Sequence, residues 1–551
     1  MKALTEYWDI IGNKIITGQF QEKEMNNRKH KTISAVIASS TAIALLCSCS
    51  QITDQSPETS LPTAPAPETS ETTIETATAI TEETTIGTMD NNINTENTFE
   101  TASDSYGIDA DYIRTVDGVS AEMLNADYWI DEKDNIILMN ADEIEAFNRE
   151  NKGIIKASDE VTVYPHLDEF GDTLDGNILR TFLNDCANSV PEYPPRYFLD
   201  GSRTDYMYWQ NLVDLSNIDG VEDTIRVRYA FTVKRMTLRL FPTEDRVFDG
   251  QDDQYYDYNL YSECMPFMPC VVLHESIDGE YLYVVFDSYA AWVRKDAVAI
   301  CDSREDWVAR QNPDQWLVVT GREIRLGNDP YSPATTNLVL PMGTQMELVP
   351  ADKAPNVINQ RTTYGDYVVR IPTRGENGKI VDEYIQIPVS DDVHVGYLPL
   401  TPANIVRQAF KLLGDRYGWG GDLQANDCTG ITREIYRCFG ILLPRVKQSE
   451  SKGICKTDLS EMDTDEKLSE ITSLTPGSLI SFPGHMMIYL GTVDGVPYVI
   501  SAVGSFVAPD PGPTDKIRPN SVIITSLYVR RANLNTWLDS ATVAMTIKPE
   551  K

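Results

Sequence analysis

Two side chains near the C-terminal end of the 551-residue chain are the strongest candidates for chemistry. Cys428 stands in the segment NDCTG, at the start of a run whose apolar residues recur at helical spacing. The amides and the dipole of a helix N-terminus stabilise a thiolate, which is the reactive form of cysteine. Of the five histidines only His485 follows Cys428, and an imidazole is the base that a nucleophilic thiol needs near neutral pH. The pair predicts covalent catalysis by a cysteine nucleophile.

The remaining cysteines beyond the N-terminus are expected to have structural roles. Cys438 falls inside the predicted helix, where a small core side chain is expected, and Cys455 falls in a predicted loop. No CxxC pair or histidine-rich spacing suggests zinc, so neither a metal nor a cofactor is predicted. The scattered spacing argues against a disulfide framework, and a bridge from Cys264 to Cys270 or to Cys301 stays open.

Helices and strands must bring Cys428 and His485 together. The segment ANIVRQAFKLLG predicts an amphipathic helix that ends near Gly414 and leads into the glycine-rich turn YGWGG. The helix that begins at Cys428 is predicted to run to Gly440, a residue type that commonly follows helix ends. A turn separates two strand-like segments, PGSLISF and HMMIYLG, and this turn places the imidazole of His485 at a strand edge.

The motifs YGWGG, DCTG, LLPR, PGSLISF and GHMMIYLG, in this order and spacing, resemble those of the NlpC/p60 cysteine peptidases. The resemblance covers about residues 401 to 530. It implies that 401–551 forms an α+β papain-like domain, in which a helical cysteine segment packs on an antiparallel sheet. It also implies Cys428 as the nucleophile and His485 as the general base that later protonates the leaving amine.

The same resemblance implies a set of substrate contacts: Tyr417, Trp419, Asp427 and Arg445. Tyr417 matches the family tyrosine whose hydroxyl lies near the thiol, and Asp427 is expected either to fix the turn or to contact a substrate amine. Family members that recognise a free L-alanine amine carry the sequence PRD after the helix. Here Val446 stands in place of that aspartate, which argues against strict dependence on a free N-terminal L-alanine.

The third catalytic position of the family falls on Ser501, where His, Asn or Gln is usual. That residue orients the base through its far ring nitrogen. Because serine is short, Ser501 is expected to act through a water molecule, or else a backbone carbonyl takes its place. A slow or inactive enzyme is the alternative.

Upstream of residue 401 the chain is predicted to form further domains. Short alternating strands fill 229–305 and 306–400, and LRLFPTEDR, VVLHESIDGEYLYVVF and HVGYLPLT resemble a pair of bacterial SH3-like barrels. The alternative is two generic β modules with no binding role. Mixed helical and irregular patterns over 106–228 predict an α+β N-terminal stabilising domain without a catalytic signature.

The first 105 residues predict export. Residues 1–49 hold a basic, then apolar, then cysteine-containing signal whose true start is expected at Met25. Leu46-Cys47-Ser48-Cys49 resembles a bacterial lipobox, which implies lipidation of Cys49 and a membrane-anchored or secreted protein; an ordinary cleaved signal or an uncleaved anchor is the alternative. The Thr-, Glu- and Pro-rich stretch 50–105 predicts a disordered acidic linker.

Charge and family resemblance together narrow the function. A net charge of -36 excludes a nucleic-acid binder and disfavours a polyanionic substrate. The resemblance implies a peptidoglycan endopeptidase that cleaves the γ-D-glutamyl bond to the diamino acid of stem peptides, and a monomer acting on peptidoglycan or muropeptide fragments. A catalytically impaired wall-binding scaffold, or an acyl or amide transferase using the same pair, are the alternatives.

Overall fold

The computed structural model describes residues 108, 110–190, 193–251, 253–445 and 447–550. The signal predicted over 1–49, with the lipidation site Cys49, and the linker predicted over 50–105 lie outside the described residues. Within the described part of the chain, no helix combines the length and the apolar character that a membrane span requires.

The region before residue 228 consists of short helices and turns with one small strand pair. Its helices are α1 (Ala141–Glu150), α2 (Gly176–Ser189) and α3 (Tyr206–Leu215), and strand β1 (Thr173–Asp175) pairs with β2 (Thr224–Arg226). The helical spacing in AEMLNADYWI yields only two 3-10 turns. The side chain of Asn125 accepts a hydrogen bond from the amide of Asp127, and this local cap starts a new turn instead of continuing the first.

This N-terminal region does not form one core of its own. Met123, Trp129 and Phe147 are buried against the C-terminal domain. Leu167 and Phe182, by contrast, belong to a second core that includes the neighbouring β-sheet. A third core holds Val190, Trp209 and Leu212 together with Leu240 and Phe241. The region predicted as a single domain over 106–228 is therefore divided among three cores, each shared with residues that follow it in the chain.

A seven-stranded antiparallel sheet follows. Its strands are β3 (Arg228–Thr232), β4 (Met236–Arg239), β5 (Leu260–Cys264), β6 (Pro269–Glu275), β7 (Tyr281–Val285), β8 (Ala290–Arg294) and β9 (Val298–Ile300), in the order β5-β4-β8-β7-β6-β3-β9. Helix α4 (Arg304–Arg310) leaves the sheet and covers its interior with Trp307, whose Nε1 donates to the carbonyl of Ala230 at 3.1 Å.

A second antiparallel sheet occupies the next region. Its order is β17-β16-β13-β10-β18, and it is built from β10 (Trp316–Val319), β13 (Gln345–Leu348), β16 (Asp366–Arg374), β17 (Ile380–Pro388) and β18 (Val393–Val395). The same region contains two small pairs of antiparallel strands: β11 (Glu323–Arg325) with β12 (Val339–Pro341), and β14 (Val357–Ile358) with β15 (Arg361–Thr362). Both sheets lie within the two regions for which alternating strands were predicted.

The C-terminal region combines helices with a six-stranded antiparallel sheet. The helices are α5 (Pro402–Phe410), α6 (Cys428–Arg437), α7 (Thr464–Thr472) and α8 (Trp537–Ser540). The sheet has the order β19-β26-β20-β21-β22-β25, with β19 (Cys455–Asp458), β20 (Leu479–Phe482), β21 (His485–Val493), β22 (Val496–Val503), β25 (Ser521–Ser526) and β26 (Val543–Thr546). The pair β23 (Phe506–Val507) and β24 (Lys516–Ile517) lies beside it.

Helix α6 begins at Cys428, as the sequence predicts, and packs on β21 and β22 through Ile431 and Ile435. Cys438 is the C-cap residue of α6 and not an interior residue, and Gly440 follows with a φ of 79°. The second sheet approaches α6 so closely at Gly343 that a Cβ there would lie 2.7 Å from the carbonyl oxygen of Glu434. Helix α6 is thus held between the second sheet and the C-terminal sheet.

Two predictions about cysteines are corrected. Cys455 opens strand β19, which pairs with β26, and does not lie in a loop. Cys264, Cys270 and Cys301 are free, as are all the cysteines that the structure describes, so none of the bridges left open by the sequence is present in that part of the chain.

Candidate active site

The start of α6 is fixed by Asp427. Its carboxylate accepts hydrogen bonds from the amide of Gly430 at 2.8 Å and from the amide of Gly420 at 3.0 Å. The first bond satisfies an N-terminal amide of the helix, as an N-cap must, and the second ties the glycine-rich turn to it. Because Asp427 is the N-cap, Cys428 occupies the first helical position.

The Cys428 thiol is half-buried and faces the start of β21. The backbone amides of Met486 and Thr429 hydrogen-bond to its sulfur and lower the pKa of the thiol, as does the charge of Arg445. Burial and the adjacent Asp427 carboxylate act more strongly in the opposite direction and raise the pKa to about 12. The thiol is therefore protonated at neutral pH.

His485 opens β21 directly after the two-residue turn Pro483-Gly484, in which Gly484 has a φ of 91°. The imidazole packs against two aromatic rings: its centroid lies 4.8 Å from that of Trp537 and 5.5 Å from that of Phe482. Burial, with a further contribution from the Arg531 charge, lowers the pKa of His485 to about 3. The imidazole is thus neutral at neutral pH and retains a lone pair that can accept a proton.

Ser501 reaches the imidazole directly. Its Oγ lies 3.0 Å from Nε2 of His485, and the side chain is fully buried in β22, the neighbour of β21. No intervening water is needed, because adjacent strands bring the short side chain within hydrogen-bond distance. Since Nε2 is engaged by Ser501, Nδ1 is the nitrogen left to face the thiol.

Asp427 and Arg445 are bound to each other. Nη1 of Arg445 donates to Oδ1 of Asp427 at 3.0 Å, Nη2 donates to Oδ2, and Nε donates to Oγ of Ser262 at 2.8 Å. Both side chains are buried, and the pair lowers the pKa of Asp427. Of the two roles foreseen for Asp427, the structure places it in the turn; Arg445 reinforces that turn.

Aromatic side chains flank the thiol. Tyr417 and Trp419 lie in the glycine-rich turn and are largely buried, and Tyr417 interacts electrostatically with Cys428. Tyr256, which comes from the loop between β4 and β5, hydrogen-bonds with the Tyr417 hydroxyl, and its ring centroid lies 5.9 Å from that of Trp419. The first sheet thus supplies a ring to the site, a contribution that no motif in the sequence indicates.

These side chains line a single cleft of about 1270 Å³. Cys428, His485, Tyr417, Trp419 and Tyr256 all reach it. No group of three or more His, Cys, Asp or Glu residues in the described ranges is arranged to hold a metal ion. The chemistry that this arrangement supports is nucleophilic attack by the sulfur with the imidazole as base.

A model of the NlpC/P60 family matches residues 414–498, a range that includes both Cys428 and His485. The chain contains an NlpC/P60 domain. A model of the SH3 domain of SH3b1 type matches residues 246–294, inside the seven-stranded sheet. The first SH3-like barrel is therefore confirmed, and the assignment of 306–400 as a second one stays a prediction. No curated protein matches the chain in sequence.

A solved structure described as an NlpC/P60 endopeptidase from Photobacterium damselae subsp. piscicida shares the fold. The match has a TM-score of 0.59 and covers 78% of this chain and 98% of that chain, at 15% sequence identity. The multidomain arrangement of mixed helix and sheet is therefore shared well beyond the NlpC/P60 domain.

The first sheet also holds the loop that precedes Cys428 in the NlpC/P60 domain. Nη2 of Arg235 donates to the carbonyl of Ala425 at 2.8 Å and to Oδ1 of Asn426 at 3.2 Å, while Nε donates to Glu263 at 2.6 Å. Glu434 of α6 completes the cluster at 3.8 Å from Arg235. Arg235 stands 190 positions from Ala425, so no local sequence signal could have identified it.

A second ion pair strengthens this contact between the SH3 domain and the NlpC/P60 domain. Arg246 pairs with Asp422 in the glycine-rich turn. In the same turn, a Cβ at Gly421 would lie 2.4 Å from the Cβ of Glu263, and Gly421 has a φ of 91°. Glycine is required there both for the backbone conformation and for the close approach.

Proposed function

We propose that the protein is a peptidoglycan stem-peptide endopeptidase that cleaves the bond between γ-D-glutamate and the diamino acid. The NlpC/P60 match supports a cysteine peptidase, and a structure sharing the fold is described as an endopeptidase. The observation that carries the proposal is the geometry at the start of α6. Cys428 at the start of this helix and His485 at the start of β21 line the same cleft, and Oγ of Ser501 lies 3.0 Å from Nε2 of the imidazole and orients it.

The proposed reaction begins from a neutral pair. As the Cys428 sulfur attacks the scissile carbonyl, Nδ1 of His485 takes the thiol proton. The N-terminal amides of α6 stabilise the oxyanion. The imidazolium then gives its proton to the leaving amine, and a thioester remains on Cys428. A water molecule, deprotonated by the same imidazole, hydrolyses the thioester and restores the thiol.

The walls of the cleft favour a peptide as the ligand and not a single small chemical group. Tyr256, Tyr417 and Trp419 offer aromatic surface next to the sulfur, and the cleft extends between the SH3 domain and the NlpC/P60 domain. Asp427 and Arg445 contribute by holding the turn, since their charges already satisfy each other. The SH3 domain therefore helps to shape the cleft.

The test is digestion of purified muropeptides with product analysis by mass spectrometry. Wild-type protein is expected to release fragments that end in γ-D-glutamate, and Cys428→Ala is expected to release none. Cys455→Ser is the matched control, because it removes another half-buried thiol from a strand outside the cleft. Identical products from wild type and Cys428→Ala would refute the proposal.

One observation favours a second candidate, a wall-binding scaffold with little activity. The raised pKa of Cys428 and the lowered pKa of His485 leave both groups neutral, which is the less reactive state of the pair. A scaffold would sediment with purified sacculi equally well as wild type and as Cys428→Ala.

We further propose that the protein is exported and anchored by a lipid on Cys49. The basic, apolar and cysteine-containing order of residues 25–49 supports this assignment. Metabolic labelling with an alkyne fatty acid tests it: Cys49→Ala should abolish labelling, and Cys47→Ala should not. Equal labelling of the two variants would overturn the assignment.

A further inference from the structure

A second cavity of about 300 Å³ lies where both sheets meet the NlpC/P60 domain. Phe267 and Phe286 line it from the first sheet, Trp316 from the second, and Arg433 and Arg437 from α6. Its volume is at the lower end of the range for small-molecule sites. Because three parts of the chain enclose it, its occupant must be small.

Two of the four arginines that line this cavity, Arg433 and Arg437, form no hydrogen bond to an oxygen of the described residues. Arg437 donates to the sulfur atoms of Met265 at 3.2 Å and Met268 at 3.7 Å, and thioether sulfur is a weak acceptor. Arg433 lies over the ring of Tyr289 at 5.9 Å, and its buried Nε has no hydrogen-bond partner among the described residues. Neither guanidinium forms an ion pair with a carboxylate of the described chain.

Other arginines of the same cavity differ in this respect. Arg310 pairs with Asp306 and Asp382, and Arg370 pairs with Glu347. Their charges are compensated within the protein. The cavity therefore contains two kinds of arginine. Those on α4 and on the second sheet are paired with carboxylates, and the two on α6 are not.

The unsatisfied pair concentrates positive charge. Arg433 and Arg437 are four residues apart on α6 and so lie on the same face of the helix. Burial and the neighbouring Arg433 lower the pKa of Arg437 to about 10, which shows that the site disfavours a second cation. Glu434 and Asp287 offset part of this charge, but neither forms an ion pair with Arg433 or Arg437, and the Glu434 carboxylate accepts from Asn426 at 2.8 Å in the Arg235 cluster.

We propose that this cavity binds a small molecule that carries an oxyanion, either a carboxylate or a phosphate, together with an apolar part. The guanidinium groups of Arg433 and Arg437 hold the anion, since planar guanidinium matches the geometry of both oxyanions. The rings of Phe267, Phe286 and Trp316 contact the apolar part. The bound molecule joins α6, whose first residue is Cys428, to both sheets.

Isothermal titration calorimetry of the full chain tests the proposal with two probes, inorganic phosphate and glutarate, at constant ionic strength set with sodium chloride. At least one probe is expected to bind saturably. Tighter binding of phosphate assigns a phosphate ligand, and tighter binding of glutarate assigns a carboxylate. Arg433→Gln and Arg437→Gln are each expected to weaken binding about tenfold or more.

Arg325→Gln is the matched control, since it removes an exposed arginine that pairs with Glu323 outside the cavity, and it should leave the affinity unchanged. Cys428→Ala should also bind as wild type does, which separates this site from the proposed peptidase activity. If Arg437→Gln does not fold, Arg433→Gln decides, because it lies on the same face of α6 one turn earlier. The proposal is overturned if neither probe binds saturably, or if Arg433→Gln binds both probes as wild type does.

Discussion

Nε2 of His485 lies 3.0 Å from Oγ of Ser501, a direct contact across the neighbouring strands β21 and β22. A hydroxyl can either donate to or accept from an imidazole nitrogen, so Ser501 supports both neutral tautomers of His485. Only the tautomer with the proton on Nε2 leaves a lone pair on Nδ1 for the thiol proton. Serine therefore orients the ring but selects the reactive tautomer less strictly than a pure acceptor would.

Ser501→Ala removes this contact and should lower kcat about tenfold, with little change in KM. The loss corresponds to about 1.4 kcal/mol, within the range of one neutral hydrogen bond, because the ring then samples other orientations. Steady-state kinetics on a stem-peptide substrate measure the effect, and thermal unfolding serves as the control for folding. An unchanged kcat would show that packing by Trp537 and Phe482 alone positions the ring.

The pH dependence of the reaction follows from the His485 pKa. A base must be unprotonated, and a pKa of about 3 keeps His485 neutral at every pH well above that value. The midpoint of the acid limb in a plot of kcat/KM against pH is therefore expected far below the ordinary pKa of histidine. We expect a flat profile between about pH 5 and pH 8. A limb centred near the ordinary histidine value would contradict the lowered pKa and indicate a solvated imidazole in the working enzyme.

The local part of the site could be predicted from the sequence. Helical spacing predicted where α6 begins, and the turn between PGSLISF and HMMIYLG predicted the strand edge at His485. These features depend on neighbours a few residues away. The sequence motifs were sufficient for the family assignment because each motif depends on residues that are close together in the chain.

The contacts between distant segments could not be predicted. Arg235 and Tyr256 reach the site from the first sheet and its loops. The pairing of β21 with β22 brings the short side chain of Ser501 within hydrogen-bond distance of His485. Such contacts depend on how sheets pack and on strand register, which residue types alone do not determine. Packing between distant segments also explains why the region before residue 228 was predicted as one domain, although part of it packs on the C-terminal domain and part on the first sheet.

Arg235→Gln should both destabilise the fold and reduce activity. The substitution leaves Glu263 and Glu434 buried around a neutral side chain, and removing one partner of a buried ion pair costs about 3 to 5 kcal/mol. The carbonyl of Ala425 also loses its donor, so the loop before Cys428 loosens. Thermal unfolding and kcat measured well below the melting temperature test the two effects.

Lys234→Gln is the matched control for Arg235→Gln. Lys234 is the preceding residue and forms an exposed ion pair with Asp296, which contributes little to stability. Stability and kcat of this variant should stay close to wild type. If Arg235→Gln behaves like Lys234→Gln, the SH3 domain does not hold the catalytic loop.

The last prediction concerns the charge beside the thiol. Asp427→Asn keeps an oxygen that can accept from the Gly430 amide, so the helix cap survives. It removes the carboxylate that raises the pKa of Cys428 and leaves Arg445, which lowers that pKa, without its counter-ion. Both changes act in the same direction, so the thiol becomes more acidic. Iodoacetamide should then alkylate Cys428 faster at a given pH, with Cys428→Ala as the blank.

Arg445→Gln should have the opposite effect on the thiol, because it removes the cation and leaves the Asp427 charge uncompensated. Both variants break the same buried ion pair and should lose about 3 to 5 kcal/mol of stability. A general loosening of the fold would speed alkylation in both variants. Only an electrostatic effect of the pair on Cys428 gives faster alkylation in Asp427→Asn and slower alkylation in Arg445→Gln, so the sign of the difference identifies the cause.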